Sequence, residues 1–107
     1  MEAIDSITHF KFCRYDFDPE TGSVLTEPAL ITDKSCVSKL REGMKDLSER
    51  DICHVDPGQA RFLLSAHYPD QRSRVFEVVK NYVLADDCCY FSRSGKLWQA
   101  LEEIYGQ

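Results

Sequence analysis

The first third of the chain constrains what the rest can build on. From Ser6 to Phe17 it carries Ile7, Thr8, Phe10, Phe12, Tyr15 and Phe17. That density of β-branched and aromatic side chains favours a strand over a helix. Turn chemistry comes next in Asp18-Pro19-Glu20-Thr21-Gly22-Ser23, where proline fixes φ and glycine accepts positive φ. A second extended run, Val24 to Thr32, completes a β-hairpin. Pro28 within it has no N–H to give to a ladder, which marks this strand as an edge or a bulged one.

Beyond the hairpin the periodicity changes. Thr32-Asp33 can cap a helix running from about Lys34 to Arg50. Its apolar residues Val37, Leu40, Met44 and Leu47 share one helical face, with Lys45–Glu49 and Asp46–Arg50 as i,i+4 pairs opposite. Gly43 weakens this helix by about 1 kcal/mol relative to alanine. Gln59 to Tyr68 reads as a strand with Phe62, Leu64, Ala66 and Tyr68 on one side. A helix opened by an Asp56/Gln59 capping box, with Pro57 at its first position, is the alternative. Pro69-Asp70 predicts another helix to about Leu84, with Val75, Phe76, Val79, Tyr82 and Val83 as its apolar face. Cys88 to Phe91 is a short buried strand. A last helix, capped by Ser92 or Ser94, ends near Tyr105, with Trp98 as its core anchor beside Leu97, Leu101 and Ile104.

The predicted order is therefore ββαβαβα. The expectation is one compact α+β domain over residues 1–107, with a mixed four-stranded sheet, an N-terminal hairpin joined to a right-handed parallel βαβ unit, and about three helices mainly on one face.

Composition fits such a core: 43% of the 107 residues are hydrophobic and 29% are charged, a balance unlike that of disordered chains. With 13 basic and 18 acidic side chains the formal net charge is −5. That argues against nucleic-acid binding, which needs a basic surface or stripe. The nearest to a stripe, Arg72, Arg74 and Lys80, is interleaved with Asp70 and Glu77. No run reaches the roughly 20 apolar residues of a membrane span, and the acidic start Met1-Glu2-Ala3-Ile4-Asp5 is unlike a secretory signal. The expected location is cytoplasmic. Cys13, Cys36, Cys53, Cys88 and Cys89 make an odd set containing an adjacent pair, from which reduced thiols, at least three of them buried, are expected.

Several constellations bear on chemistry. Arg93, Ser94, Gly95 and Lys96 sit where a predicted strand meets a helix N-terminus, whose free N–H groups and dipole attract anions. It is not a P-loop: the first glycine is missing and Leu97 replaces the Ser/Thr. A plain serine-capped helix with solvated cations is the simpler reading. Cys88 and Cys89 offer a redox or metal pair, although neighbours on a strand face opposite ways. Cys53, His54 and Asp56 lack zinc spacing. Asp16, Asp18, Glu20 and Glu27 match a calcium-loop count, but Thr21 stands where glycine is required. His9 and Cys13 share a strand face yet lie roughly 13 Å apart at about 3.3 Å per residue, too far for a nucleophile–base pair.

No catalytic motif stands out, and no cofactor or metal is expected. The leading expectation is a small acidic, non-enzymatic binding or regulatory protein that docks on a protein partner, in the manner of an inhibitor, immunity-type or adaptor protein, with Asp16, Asp18 and Glu20 at the hairpin tip as contact residues. Two rivals stand beside it. One is a phosphate or other anion sensor, or a small enzyme, built on Arg93–Lys96 with Cys88 or Cys89. The other is the small subunit of an obligate complex, a homo-oligomer included.

Overall fold

A computed structural model describes residues 3–18, 20, 22–55 and 58–106. Among these residues eight strands and two α-helices occur in the order β1 (His9–Asp18), β2 (Gly22–Leu25), β3 (Ala29–Ile31), α1 (Lys34–Lys45), β4 (Leu47–Arg50), β5 (Arg61–His67), β6 (Ser73–Val79), β7 (Tyr82–Ala85), β8 (Cys88–Ser92) and α2 (Lys96–Tyr105). All pairings are antiparallel. The sheet is seven strands wide, in the order β2-β1-β5-β6-β7-β8-β4, with β3 continuing the β2 edge along β1. Thr26-Glu27-Pro28 makes that break. There the Arg14 N–H donates to Thr26 Oγ1 at 2.8 Å and the Thr26 N–H donates to the Arg14 carbonyl at 3.0 Å.

This architecture overturns the four-stranded mixed sheet with three helices and its parallel crossover. Pro69-Asp70 opens a hairpin turn rather than a helix. The Tyr68 N–H bonds the Arg72 carbonyl at 2.9 Å, the Gln71 N–H bonds the Tyr68 carbonyl at 3.2 Å, and Gln71 takes a positive φ of 67°. The chain then forms the β6–β7 hairpin, turning at Lys80, φ 54°. Val75, Val78, Val79 and Val83 are β-branched residues that fit a pleated surface better than a helix. The first predicted helix is also shorter. It stops at Lys45, and residues 47–50 pair with β8 as an edge strand. The anticipated i,i+4 pairs do not form. Lys45 reaches Asp5 at 2.9 Å and Glu42 at 3.3 Å, while Asp46 is taken by Ser92 and Ser94.

Both helices pack on one sheet face. Asp33 caps α1 by accepting the Cys36 N–H at 3.1 Å. Val37, Leu40 and Met44 of α1 and Leu97, Trp98 and Leu101 of α2 are buried against Phe10, Phe12, Phe62, Leu64, Phe76, Val78 and Val83. Each of the fully buried large side chains contributes about 1.5–3 kcal/mol. The helices touch at Gly43, where a Cβ would lie 2.8 Å from the Leu97 Cα. Glycine is needed there for close approach, so its cost in helix propensity is offset by packing.

The cysteines depart from expectation too. Cys53 and Cys89 form a disulfide. The free cysteines are Cys13, Cys36 and Cys88, and all five are half-buried rather than fully buried. Among the described residues no helix is long and apolar enough to cross a membrane.

Candidate functional site

The register of the ladders assigns each strand residue to a face, because directly paired residues on antiparallel strands point the same way. The rows Ile31/Phe10/Ala66/Arg74 and Phe12/Leu64/Phe76 face the helices. On the opposite face three rows run across the sheet. The first is Leu30/Lys11/Ser65/Val75, the second Cys13/Leu63/Glu77/Leu84/Cys89/Arg50, and the third pairs Leu25 with Tyr15 and Arg61 at one end and Val79 with Tyr82, Phe91 and Ser48 at the other.

Neither α-helix covers this second face. The chain after β4 reaches this face at Ile52 and Cys53; β4 and β5, the strands on either side of that connection, lie four positions apart in the sheet, about 19 Å at about 4.8 Å per step. Cys53 is bonded to Cys89, and Ile52 lines a shallow pocket with Arg50, Tyr82 and Phe91. The Arg50 guanidinium sits 5.2 Å from the Phe91 ring centre. Beside the disulfide is a depression of about 510 Å³ lined by Leu63, Val75 and Leu84, with Glu77, Asp86 and Asp87 among its walls.

Exposure concentrates here. Of the five large apolar side chains exposed among the described residues, Leu25 (56%), Leu30 (59%) and Val75 (55%) belong to the open face and Ile52 (69%) to the chain that reaches it after β4; Tyr105 (45%), near the end of α2, is the fifth. Neighbouring Leu63, Leu84, Tyr82 and Phe91 are half-buried. Sequence reasoning missed this face because it placed Val75 on a helix. The available signal was apolar residues on both sides of one strand: Val75 and Val79 on one, Phe76 and Val78 on the other.

The residues expected to bind an anion lie together at the start of α2, but a carboxylate of the chain already sits there. Asp46 Oδ2 accepts the Ser94 N–H at 2.9 Å, the Ser94 hydroxyl at 2.6 Å and the Ser92 hydroxyl at 2.9 Å. The serine oxygens then accept from the helix: Gly95 N–H to Ser92 Oγ at 3.1 Å and Lys96 N–H to Ser94 Oγ at 3.2 Å. These bonds, those from Ser94 foremost, hold the Asp46 carboxyl below its ordinary range. The expected cap at Ser92 or Ser94 is not the one found: Gly95 is the N-cap of α2, with φ 71° and no side-chain cap bond, a region where other L-residues are strained. Arg93 and Lys96 are exposed.

The acidic hairpin tip is only partly drawn together. Asp16 pairs with Arg14 at 3.0 Å, and that guanidinium lies 4.8, 5.4 and 5.7 Å from the ring centres of Phe62, Trp98 and Tyr105. Glu20 is exposed. The Asp18 side chain, Pro19 and Thr21 lie outside the described residues. Of the proposed metal trio, Cys53 is committed to its disulfide and Asp56 lies outside the described residues; no group of three candidate ligands occurs among those described. Cys88 and Cys89 face opposite sides of β8, as neighbours on a strand must. His9 meets His67 instead of Cys13: their rings stack at 4.6 Å, 8° from parallel. Burial, then the charges of His9 and Lys11, depress the His67 pKa.

No family model, no curated protein and no solved structure matches the chain.

Proposed function

We propose that this chain is a non-enzymatic docking module that binds a protein partner through the open face of its sheet. One observation carries the reading: four of the five exposed large apolar side chains among the described residues gather on that face or on the chain that reaches it after β4. They are interleaved with polar side chains, Lys11 and Ser65 standing between Leu30 and Val75 and Tyr15 and Arg61 beside Leu25, and apolar surface rimmed by polar groups marks interaction sites. The sheet edges are poorer candidates. β4 is four residues long and carries Glu49 and Arg50, and the other edge is interrupted at Pro28; short, charged or proline-broken edges resist strand addition.

Charge complementarity selects the occupant. The depression beside the disulfide has an apolar floor; of the carboxylates in its walls Glu77 is paired with Arg61 and Asp86 with Arg74 at 2.8 Å, which leaves the exposed Asp87 and the chain's net charge of −5 to attract a cationic partner. The partner is accordingly a protein presenting an apolar patch flanked by lysine or arginine, approached faster at low salt. Asp16, Asp18 and Glu20 would add to the same long-range attraction.

The test compares capture from native lysate by wild type, by Val75→Asp and by Gln99→Asp, an exposed position on α2. Support is a basic protein whose recovery falls about tenfold with Val75→Asp, a loss of about 1.4 kcal/mol, and holds with Gln99→Asp. Capture that ignores Val75→Asp overturns the reading. So does a Val75-dependent dimer in sedimentation, because a second copy of the chain would then occupy the face.

A further inference from the structure

We propose that the start of β6, Ser73 to Val75, is a strand-addition site, where the partner contributes an extended segment that continues the line of β7. The inference deepens the docking reading by naming the element of the partner that arrives at the open face, and it rests on that reading for the existence of a protein partner.

The ladder fixes which way each backbone group of β6 points. The Tyr68 N–H donates to the Arg72 carbonyl at 2.9 Å, and Ala66/Arg74, Leu64/Phe76 and Phe62/Val78 continue that register. Bonded and unbonded positions alternate along an antiparallel pair. Arg74, Phe76 and Val78 therefore turn their N–H and C=O groups toward β5, and Ser73, Val75, Glu77 and Val79 turn theirs toward β7. Glu77 meets Leu84 there and Val79 meets Tyr82. Ser73 and Val75 have no such neighbour, because β7 ends at Ala85. Asp86 and Asp87 take φ of 51° and 63° and turn the chain back into β8, the geometry of a tight hairpin. Among the described residues no backbone bond reaches Ser73 or Val75 from that side.

Two donors and two acceptors set at the repeat of a strand select their occupant. Extended backbone matches all four at once, and side chains on alternate positions then add specificity. The outer edges are guarded by charge or by Pro28, but this inner gap is not. It holds no proline, and its charges are already neutralised: Arg74 pairs with Asp86 at 2.8 Å and Arg72 with Asp70 at 2.5 Å. Ser73 and Val75 are exposed, and a depression of about 590 Å³ is bounded by Tyr68, Arg72, Ser73, Arg74, Val75 and Asp86. A residue paired with Val75 would point to the open face, as Val75 does. The exposed Asp87 shares the neighbouring depression with Val75. The segment that fits is accordingly extended, with an apolar side chain opposite Val75 and a lysine or arginine within reach of Asp87.

The experiment reads amide exchange by nuclear magnetic resonance, first on the free protein. Ser73 and Val75 should exchange about a hundredfold or more faster than Arg74 and Phe76, whose amides are bonded to β5. The probe is a phage-displayed library of random dodecapeptides, panned on the folded protein, with the selected peptides then synthesised. A bound peptide should slow exchange at Ser73 and Val75 by about tenfold or more. Methylating the peptide nitrogens that face β6 should abolish binding, and methylating the alternate nitrogens should not. Ser73→Pro removes a donor the fold does not use, at the first position of a strand, where proline is tolerated. It should weaken peptide binding about tenfold, while Gln99→Asp leaves it unchanged. The proposal is overturned if Ser73 and Val75 are as protected as Arg74 and Phe76 in the free protein, or if the library yields no binder. It is overturned equally if binders leave the two amides unprotected or ignore Ser73→Pro. Failure here leaves the docking reading to stand on capture with Val75→Asp, and capture that ignores Val75→Asp overturns that reading without altering the exchange pattern.

Discussion

The two faces of the sheet are made from the same strands and held by the same ladders, yet they do different work. On β5, Phe62, Leu64 and Ala66 are fully buried beneath the helices, while Leu63, Ser65 and His67 between them are half-buried on the open side. On β6, Phe76 is fully buried and its neighbour Val75 is 55% exposed. Folding accounts for the first set, because removing apolar surface from water stabilises the packed state. It accounts less well for Val75, Leu30 and Leu25, which remain largely in water. Apolar residues that the core does not use, exposed on one side of the sheet, are the reason for assigning binding to that side.

The comparison is sharpest where the expected effects are largest. Truncating the helix-facing row, as in Phe62→Ala or Phe76→Ala, should cost about 3–5 kcal/mol in chemical denaturation. Val75→Asp, one residue from Phe76, should stay within about 0.5 kcal/mol of wild type. A large loss from Val75→Asp would make the open face part of the fold and break the distinction. Next in size is the disulfide: Cys53→Ser, Cys89→Ser should lower stability by about 2–4 kcal/mol, chiefly by freeing the unfolded chain, with an unchanged far-ultraviolet circular dichroism spectrum.

At the junction of the helices, Gly43→Ala pits local preference against packing. Alanine gains about 1 kcal/mol in helix propensity, but its Cβ meets backbone atoms of Leu97 at 2.8 and 2.9 Å, and such overpacking costs about 1–3 kcal/mol. A net lowering of the melting temperature is expected; a rise would mean that the helices separate easily.

The smallest effect is pH-dependent and belongs to the open face. His67 has a folded pKa below its ordinary 6.5, from burial first and then from His9 and Lys11. The unfolded chain therefore takes up this proton first as pH falls. The contribution of His67 to stability is whole above about pH 6.5 and declines below it, levelling once pH passes the folded value. His67→Phe should flatten that slope between pH 7.5 and 5.5 in urea titrations; an equal slope in both proteins would remove His67 as its source.

Single elements were legible locally; the sheet was not. The hairpin, the strand at 61–67, the cap at Asp33 and the last helix all carry short-range signals: turn residues, alternation, a capping carboxylate, a helical apolar stripe. Residues 70–84 misled because Val75, Phe76, Val79, Tyr82 and Val83 match a helical stripe as well as two strands. What decided between them was a non-local gain, pairing with β5 on one side and β8 on the other, together with positive φ at Gln71 and Lys80, residues that seldom announce a turn. The early end of α1 has a similar cause, since Asp46 leaves the helix for serines 46 and 48 residues later in the chain. The disulfide was hidden for the same reason: nothing near Cys53 shows that the chain returns to it at Cys89. With the strands misassigned, no face could be seen to collect Leu25, Leu30 and Val75, and the charges at the hairpin tip and at the start of α2 stood out in their place.

The most direct test exploits the neighbours Val75 and Phe76, whose side chains leave the same strand in opposite directions. Partner capture and melting temperature are measured for Val75→Asp and for the milder core change Phe76→Leu, at a temperature where both are folded. The account predicts that Val75→Asp loses capture and keeps the wild-type melting temperature, while Phe76→Leu lowers the melting temperature and keeps capture. Capture that survives Val75→Asp, or that tracks stability in both variants, would contradict it.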